Sequence, residues 1–136
     1  MNGIDPRGPR FGAALTTVVL VVVLITGSGW LALAQAVVFA ITAYDLRLGP
    51  YGLVYRTLVA PRLGPPAELE APEPPRFAQL VGMVFTVVAT IGYLFGAPVV
   101  GLVFAAFALF AAFLNAAFGF CLGCEMYLAI RRLATR

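Results

Sequence analysis

The chain has 136 residues, which is enough for one domain and excludes folds that need two. Hydrophobic residues make up 62% of it and charged residues 11%, against roughly 25% charged residues in an ordinary soluble domain. This composition excludes a soluble globular protein and an intrinsically disordered one. It predicts a single transmembrane domain over residues 1–136, in contact with a lipid bilayer.

All 9 basic residues are arginines, the 6 acidic residues leave a net charge of +3, and the chain contains no histidine. Serine–histidine–aspartate triads, cysteine–histidine dyads and histidine-ligated metals are therefore excluded. The arginines are scattered rather than gathered in a basic stripe with interleaved aromatic residues, so no nucleic-acid partner is expected. The sequence shows no cofactor motif and no signature of a quinone site.

Two long stretches carry no charge, residues 11–44 and residues 77–124. A spanning helix needs about 20 residues, so each stretch has room for two helices and a tight turn. Gly27-Ser28-Gly29 and Gly96-Ala97-Pro98 are typical of such turns. The pattern predicts an all-α integral membrane protein with four transmembrane helices in two hairpins, near residues 11–27, 30–46, 77–95 and 98–118.

The first stretch also has features of a secretory signal peptide. Arg7 and Arg10 precede an apolar run, and Ala32-Leu33-Ala34 has the small residues of a cleavage sequence. The apolar sequence continues past this point to Ala43, which favours a helical hairpin over the start of a mature protein. We therefore expect the hairpin.

The segment between the hairpins has two parts. Residues 48–62 combine apolar side chains with Arg56 and Arg62, which predicts a short amphipathic segment in the membrane interface or a loop packed under the bundle. Residues 64–75 contain five prolines and three glutamates, a composition typical of a stiff, solvated linker. The acidic residues could bind a partner, but we expect this segment to act only as a connector.

The arginines predict the orientation. They lie near the N-terminus, in the middle segment and near the C-terminus, on one side of the four predicted spans, while the two turns on the other side carry no charge. Cytoplasmic loops of membrane proteins are enriched in arginine and lysine, so both termini are expected in the cytoplasm. We expect a multi-pass protein of the bacterial inner membrane.

A short motif recurs at the start of each hairpin, as Pro9-Arg10-Phe11 and Pro75-Arg76-Phe77. Both hairpins enter the membrane from the same side, so a symmetry axis relating them would lie along the membrane normal. A motif of only three residues can also recur by chance, or because it is a common way to start a helix at the membrane interface. The sequence leaves these interpretations open.

The last predicted span has two different faces. Small side chains and one amide form a face that is expected to pack on the first hairpin: Ala105, Ala108, Ala112, Asn115 and Gly119. The opposite face is bulky: Phe107, Phe110, Leu114 and Phe118. The GxxxG spacings at Gly92–Gly96 and Gly119–Gly123 are compatible with a homo-oligomer as well as with packing inside one chain.

The two cysteines form the sequence Cys121-Leu122-Gly123-Cys124. Two thiols at this spacing at a helix start can close a reducible disulfide, and the helix N-terminus favours the thiolate. Gly119 predicts a helix break that would create such a start. A helix from Pro98 to Cys121 is about 35 Å long, beyond a hydrocarbon core of about 30 Å, so the pair is expected at the cytoplasmic face. The alternatives are packing and a metal shared between subunits, since two thiolates do not complete a tetrahedral site.

Four more residues are candidates for roles beside the cysteines. Glu125 is expected to relay the thiol proton, or to pair with Arg131 or Arg132 at the interface. These two arginines are expected to attract an anionic substrate, or to act only as topology anchors. Asn115 is expected to line a substrate pocket, or to hydrogen-bond a neighbouring helix. The candidate catalytic residues are therefore Cys121, Cys124 and Glu125, and the candidate substrate-binding residues are Asn115, Arg131 and Arg132.

The run Phe113-Leu114-Asn115-Ala116-Ala117-Phe118-Gly119-Phe120-Cys121-Leu122-Gly123-Cys124-Glu125-Met126-Tyr127 resembles the end of a bacterial membrane family of unknown function, numbered forty-three ninety-five. The opening from Ile4 to Phe11 resembles that family's start, and the resemblance covers nearly the whole chain. It implies a small four-span protein with no established activity. Relatives are often encoded near thioredoxin-like or rhodanese-type sulfurtransferase proteins, which implies thiol or sulfane-sulfur chemistry with such a partner.

The first hypothesis is thiol–disulfide exchange or sulfane-sulfur handling with a soluble partner, with Cys121 as attacking thiolate and Cys124 as resolving thiol. The second is a transporter or channel for a small sulfur species. The third is a non-catalytic structural subunit of a membrane complex. Replacing both cysteines by serine would abolish only the first two activities. Whether the protein is an enzyme stays open, and neither a cofactor nor a bound metal ion is predicted.

Overall fold

The computed structural model describes residues 5, 7–64, 69, 71 and 73–134. In this part of the chain there are helices and the turns between them, and no strand. The helices in chain order are α1 (Arg7–Thr26), α2 (Gly29–Tyr44), α3 (Pro50–Val54), α4 (Ala60–Leu63), α5 (Glu73–Leu94), α6 (Pro98–Phe118) and α7 (Leu122–Ala134). The all-α prediction is thus confirmed for the described residues.

Three of the four long helices are long and apolar enough to cross a membrane: α1 with 20 residues, α5 with 22 and α6 with 21. Helix α2 is equally apolar but has only 16 residues. At a rise of about 1.5 Å per residue it is about 24 Å long, shorter than a hydrocarbon core of about 30 Å. The structure therefore has three helices of spanning length and a shorter apolar fourth.

Three predicted boundaries differ from the observed ones by two residues or more. Helix α1 begins at Arg7, four residues before its predicted start at residue 11. Helix α2 ends at Tyr44, because the Asp45 side chain accepts a hydrogen bond from the backbone N–H of Arg47 at 2.9 Å and starts a 3-10 turn over Leu46–Leu48. Helix α5 begins at Glu73, inside the predicted linker, since its prolines fall in the first turn, where a missing N–H breaks no helical bond. Of the remaining linker, residues 65–68, 70 and 72 lie outside the described residues.

The two helices of the first predicted hairpin touch little, whereas those of the second pack closely on each other. Helix α1 packs mainly on α6, α2 packs mainly on α5, and α5 also packs on α6, whereas α1 and α2 touch little. Each long helix contributes one side chain with no solvent exposure to a common core cluster: Val23, Ala32, Ala89 and Ala105. Ala105 and Ala108 are buried, so the first half of the predicted small face of α6 packs inward, whereas Ala112 and Asn115 are half-buried and Gly119 is exposed.

One end of the bundle, named the arginine end here, holds the starts of α1 and α5 and the ends of α2 and α6. Every arginine in the described part of the chain lies at this end. The middle segment also lies here and is helical from Pro50 to Leu63, with a π-helical turn over Tyr55–Val59 between α3 and α4. Tyr55 is buried while Leu53 and Leu58 are exposed, so this segment packs on the bundle and still presents an apolar surface.

Candidate functional site

The two cysteines follow a sharp break in the chain between α6 and α7. Gly119 ends α6 in the left-handed conformation (φ 69°, ψ 15°), where its N–H donates to the carbonyl of Asn115 at 2.9 Å. Residues other than glycine are strained in this backbone conformation, because they carry a Cβ atom. The chain then turns through Phe120 and Cys121 before α7 begins at Leu122, so the break predicted at Gly119 is present.

Cys121 caps the N-terminus of α7. Its Sγ accepts a hydrogen bond from the backbone N–H of Cys124 at 3.1 Å, and its carbonyl accepts one from Glu125 at 3.0 Å. The two cysteines form a disulfide with their Cα atoms 5.2 Å apart. The N–H groups of a helix N-terminus stabilise negative charge, so the Cys121 sulfur lies where a thiolate is favoured after reduction.

Gly123, between the two cysteines, positions α7 against α5. A Cβ atom at this position would lie 2.6 Å from the Cα atom of Ala78, closer than real contacts allow. The Phe77 and Tyr127 rings extend the same contact, with centroids 5.7 Å apart. This close approach places the disulfide beside the first turns of α5.

A pocket of about 270 Å³, named the disulfide pocket here, lies next to the cysteines. Two uncharged amides line it, those of Gln79 and Asn115, and neither makes a hydrogen bond to another part of the described chain. Its lining residues are Pro9, Arg10, Pro75, Ala78, Gln79, Asn115, Gly119, Cys121 and Cys124. Asn115 therefore lies in the same pocket as both cysteines, while its predicted role as a substrate ligand stays a prediction.

Arg10 lines the pocket, although the sequence patterns did not predict it to lie near the cysteines. Its guanidinium donates to the carbonyl oxygen of Ala116 at 3.1 Å, in the last turn of α6. It also passes 3.6 Å from the position of a Cβ atom at Gly119. The only sequence signal for this residue is the repeated Pro-Arg-Phe motif, because the contact joins residues 106 positions apart.

A second, larger cavity, named the central cavity here, has a volume of about 1480 Å³ in the arginine-end half of the bundle. It shares Cys121, Gln79 and Asn115 with the disulfide pocket. Away from the cysteines its walls are apolar and aromatic, with Phe39, Phe85, Phe104, Phe107 and Ala108. The cysteine pair therefore lies between a small polar pocket and a large apolar cavity.

Buried and half-buried polar side chains form a hydrogen-bonded chain that links α1, α2 and α3 beside the central cavity. The Tyr51 hydroxyl donates to Gln35 Oε1 at 2.6 Å, and Gln35 Nε2 donates to Thr16 Oγ1 at 3.4 Å. Gln35 is only 1% exposed, so these bonds satisfy an amide that would otherwise be costly to bury. Gln35 thus joins α1, α2 and α3, unlike the two amides beside the cysteines. Burial raises the pKa of the Tyr51 hydroxyl, which keeps it a donor.

At the mouth of the central cavity, Asp5 joins the N-terminus to the middle segment. Its carboxylate accepts hydrogen bonds from Arg7 at 3.0 Å and from the Tyr55 hydroxyl at 2.9 Å. The hydrogen bond from Arg7 holds the pKa of Asp5 below its ordinary value. Burial, followed by the hydrogen bond to Asp5, raises the pKa of Tyr55. The pairing therefore needs an ionised Asp5.

The other predicted site residues lie elsewhere on α7. Glu125, Arg131 and Arg132 are exposed, and none of them lines the disulfide pocket or the central cavity. Arg131 donates to the Tyr127 hydroxyl at 3.0 Å and lies over that ring. The structure thus brings Asn115 to the cysteines but not the two arginines. No group of three or more metal-ligating side chains occurs in the described part of the chain.

These features define an all-helical protein with helices long and apolar enough to cross a membrane and with a cysteine pair at a helix N-terminus. The chain belongs to the family described as domain of unknown function (DUF4395), whose model matches residues 4–132. This confirms the family indicated by the Cys-Leu-Gly-Cys sequence. No curated protein and no solved structure matches the chain.

Proposed function

We propose that this protein carries out thiol–disulfide exchange at Cys121 and Cys124. The observation that carries the proposal is the position of the pair. The cysteines cap a helix N-terminus at a Cα separation of 5.2 Å, within the roughly 4.4–6.8 Å range in which a disulfide opens and closes without large backbone movement. Both sulfur-bearing residues line the disulfide pocket and are only partly buried, which supports access for a second thiol.

The exchange takes two steps and needs a partner dithiol of the thioredoxin-like or sulfurtransferase kind. A partner thiolate attacks the Cys121 sulfur, a new S–S bond forms, and Cys124 leaves as a thiolate that takes up a proton. The second partner thiolate then attacks the partner's own sulfur in the mixed disulfide. Cys121 leaves as a thiolate, stabilised by the N–H of Cys124. The partner ends oxidised and this protein ends reduced by two electrons.

We further propose four spans in a bacterial inner membrane, with the arginine end in the cytoplasm. The supporting observation is that every described arginine lies at this end. Helix α2 crosses despite its length if the bilayer thins locally around it. Cysteine-accessibility labelling in cells, at positions in 47–63 and at the Gly27-Ser28 turn, tests this topology. Periplasmic labelling of the middle segment would refute it.

The exchange itself is tested in purified protein. Wild-type protein is equilibrated with glutathione redox buffers, quenched with an alkylating reagent and analysed by mass. We expect one two-electron transition in the wild type. The Cys121→Ser and Cys124→Ser variants should each show a single thiol that forms a mixed disulfide with glutathione. If the wild-type cysteines react only after unfolding, the pair is structural and the protein is better described as a scaffold subunit.

A transport role receives less support from the geometry. The residues that line the central cavity extend inward only as far as Thr16, Phe85 and Phe104. At and beyond this depth lie the four core side chains without solvent exposure, Val23, Ala32, Ala89 and Ala105. The small alanine side chains bring the four helices close together there. A path for an ion or a sulfur species would need this packing to open.

A further inference from the structure

The central cavity is larger than an ordinary ligand site and has an apolar, aromatic lining. Its volume of about 1480 Å³ exceeds the roughly 300–1,000 Å³ of ordinary small-molecule pockets. The Phe85 ring contacts both Phe104, at 5.5 Å between centroids, and Phe107, at 6.4 Å. These tilted and edge-on rings form an apolar, aromatic wall of the cavity.

The cavity also reaches the outer surface of the bundle. Phe107 and Phe110 line it and are each 58% exposed on the outside of α6. Helix α6 is the most apolar of the three helices of spanning length. A ligand with a long hydrocarbon tail can therefore occupy the cavity with its head group while the tail passes between helices into the bilayer.

The polar end of the cavity is uncharged where it meets the cysteines. The side-chain amides of Gln79 and Asn115 lack hydrogen-bond partners within the described residues and lie beside Cys121. Three arginines line the mouth, and each has a partner within the protein: Arg47 pairs with Asp45, Arg56 donates to the carbonyl of Arg47, and Arg76 donates to two backbone carbonyls of α2. These contacts favour a head group with neutral hydrogen-bond acceptors over a phosphate.

We propose that the central cavity binds an isoprenoid quinone, which oxidises the reduced Cys121–Cys124 pair. The inference rests on the proposed exchange function and names its membrane-side electron acceptor. The amide N–H groups of Gln79 and Asn115 donate to a quinone carbonyl, and the ring lies against the phenylalanine wall. The two thiols lose two electrons and two protons and form the S–S bond. The quinone gains both electrons and both protons and leaves as a quinol.

The experiment uses the purified full chain, reduced and freed of reductant, with a short-chain ubiquinone. This quinone has a fully substituted ring and therefore resists arylation by thiols. Loss of quinone absorbance and formation of the disulfide are followed together, and we expect one quinol per disulfide. For each variant, the rate with quinone is divided by the rate of exchange with glutathione, so that a general loss of folded protein cancels.

The decisive variant is Ala111→Phe, which adds a ring inside the cavity, and its control is Ala106→Phe on the exposed side of the same helix. We expect the rate ratio to fall about tenfold or more in the first and to stay near the wild-type value in the second, since an added ring in a filled site is poorly tolerated. Equal ratios in both variants would overturn the cavity as the quinone site.

Two further outcomes separate this inference from the exchange function. If the wild type exchanges with glutathione but reduces no quinone, the quinone proposal is wrong and the exchange function stands. Saturable quinone binding without oxidation of the thiols also overturns the proposal and leaves the cavity as a lipid site. If the wild type exchanges with neither reagent, both proposals fail.

Discussion

The Arg10 guanidinium, in the first turn of α1, donates a hydrogen bond of 3.1 Å to the carbonyl oxygen of Ala116 in the last turn of α6. Arg76, at the equivalent place in α5, donates hydrogen bonds of 2.9 Å to the carbonyls of Ala43 and Tyr44 at the end of α2. A cation at a helix C-terminus satisfies free carbonyls and the helix dipole. The two Pro-Arg-Phe motifs therefore make the same contact in the two halves of the chain.

Arg10 is expected to promote the reactivity of the reduced cysteines, because its positive charge lies in the disulfide pocket. In Arg10→Gln the thiolate loses a nearby cation, so alkylation at neutral pH should slow about threefold, the scale of one partly exposed charge interaction. The control is Arg62→Gln, which also loses a bond to a backbone carbonyl, that of Leu58, but lies outside both cavities. Equal alkylation rates in the two variants would remove Arg10 from the site.

The pairing of Asp5 with Arg7 and Tyr55 predicts an acid-dependent loss of stability. The folded-state pKa of Asp5 lies below its ordinary value of 3.8, so the carboxylate stabilises the fold above about pH 4. This contribution is lost as the pH falls through the lowered folded-state pKa. Thermal unfolding in detergent between pH 2 and pH 6 should show a steeper acid decline for the wild type than for Asp5→Asn.

Tyr55→Phe provides a graded version of the same measurement. It removes one of the hydrogen bonds to the Asp5 carboxylate, so its acid decline should fall between those of the wild type and Asp5→Asn. Tyr44→Phe changes an exposed tyrosine at the same end and should match the wild type. If Asp5→Asn and Tyr55→Phe lose stability in acid as steeply as the wild type and Tyr44→Phe do, the assigned role of Asp5 is wrong.

The core cluster should be sensitive to added volume. Ala105→Leu places a larger side chain against the three other core residues without solvent exposure and is expected to lower the free energy of unfolding by about 1–3 kcal/mol. Ala106→Leu adds the same atoms on the exposed side of α6 and should change it little. Unfolding in denaturant at constant detergent concentration compares the two, and equal stability would mean that this face of α6 is not packed.

Gly123→Ala tests how the cysteines are held. The new methyl group would lie 2.6 Å from the Ala78 backbone, so α7 must move away from α5. We expect lower stability and a slower glutathione exchange. Gly12→Ala is the matched control, because its methyl group would meet Tyr51 at an ordinary 3.6 Å and alanine favours a helix by roughly 0.5–1 kcal/mol over glycine. A variant at position 123 that behaves like this control would show that the contact is loose.

The local features of the fold were predictable from the sequence. Charge-free stretches and glycine-containing turns predicted the four long helices, and Gly119 predicted the break before the cysteines. Hydropathy predicts the end of α2 two residues too late, because the helix is ended by a side-chain hydrogen bond of Asp45, which hydropathy does not detect.

The candidate site was only partly predictable. Asn115 and the cysteines are close in sequence, so their common pocket followed from helix geometry. Arg10 and Gln79 reach the pocket from other helices, and no local pattern encodes that contact. The central cavity depends on the packing of all four long helices, so it has no sequence signature. The roles expected for Glu125, Arg131 and Arg132 stay predictions.

The pairing of α1 with α6 and of α2 with α5 has a consequence for biosynthesis. The helices that leave the ribosome first find their main partners only when the second half of the chain has been made. Contacts so distant in sequence form late, and until then the first half of the chain has only its own contacts, such as the hydrogen bond from Gln35 to Thr16. The two halves are thus mutually dependent parts of one structure, and separately expressed segments ending at Gly64 and beginning at Glu73 should need each other to escape degradation.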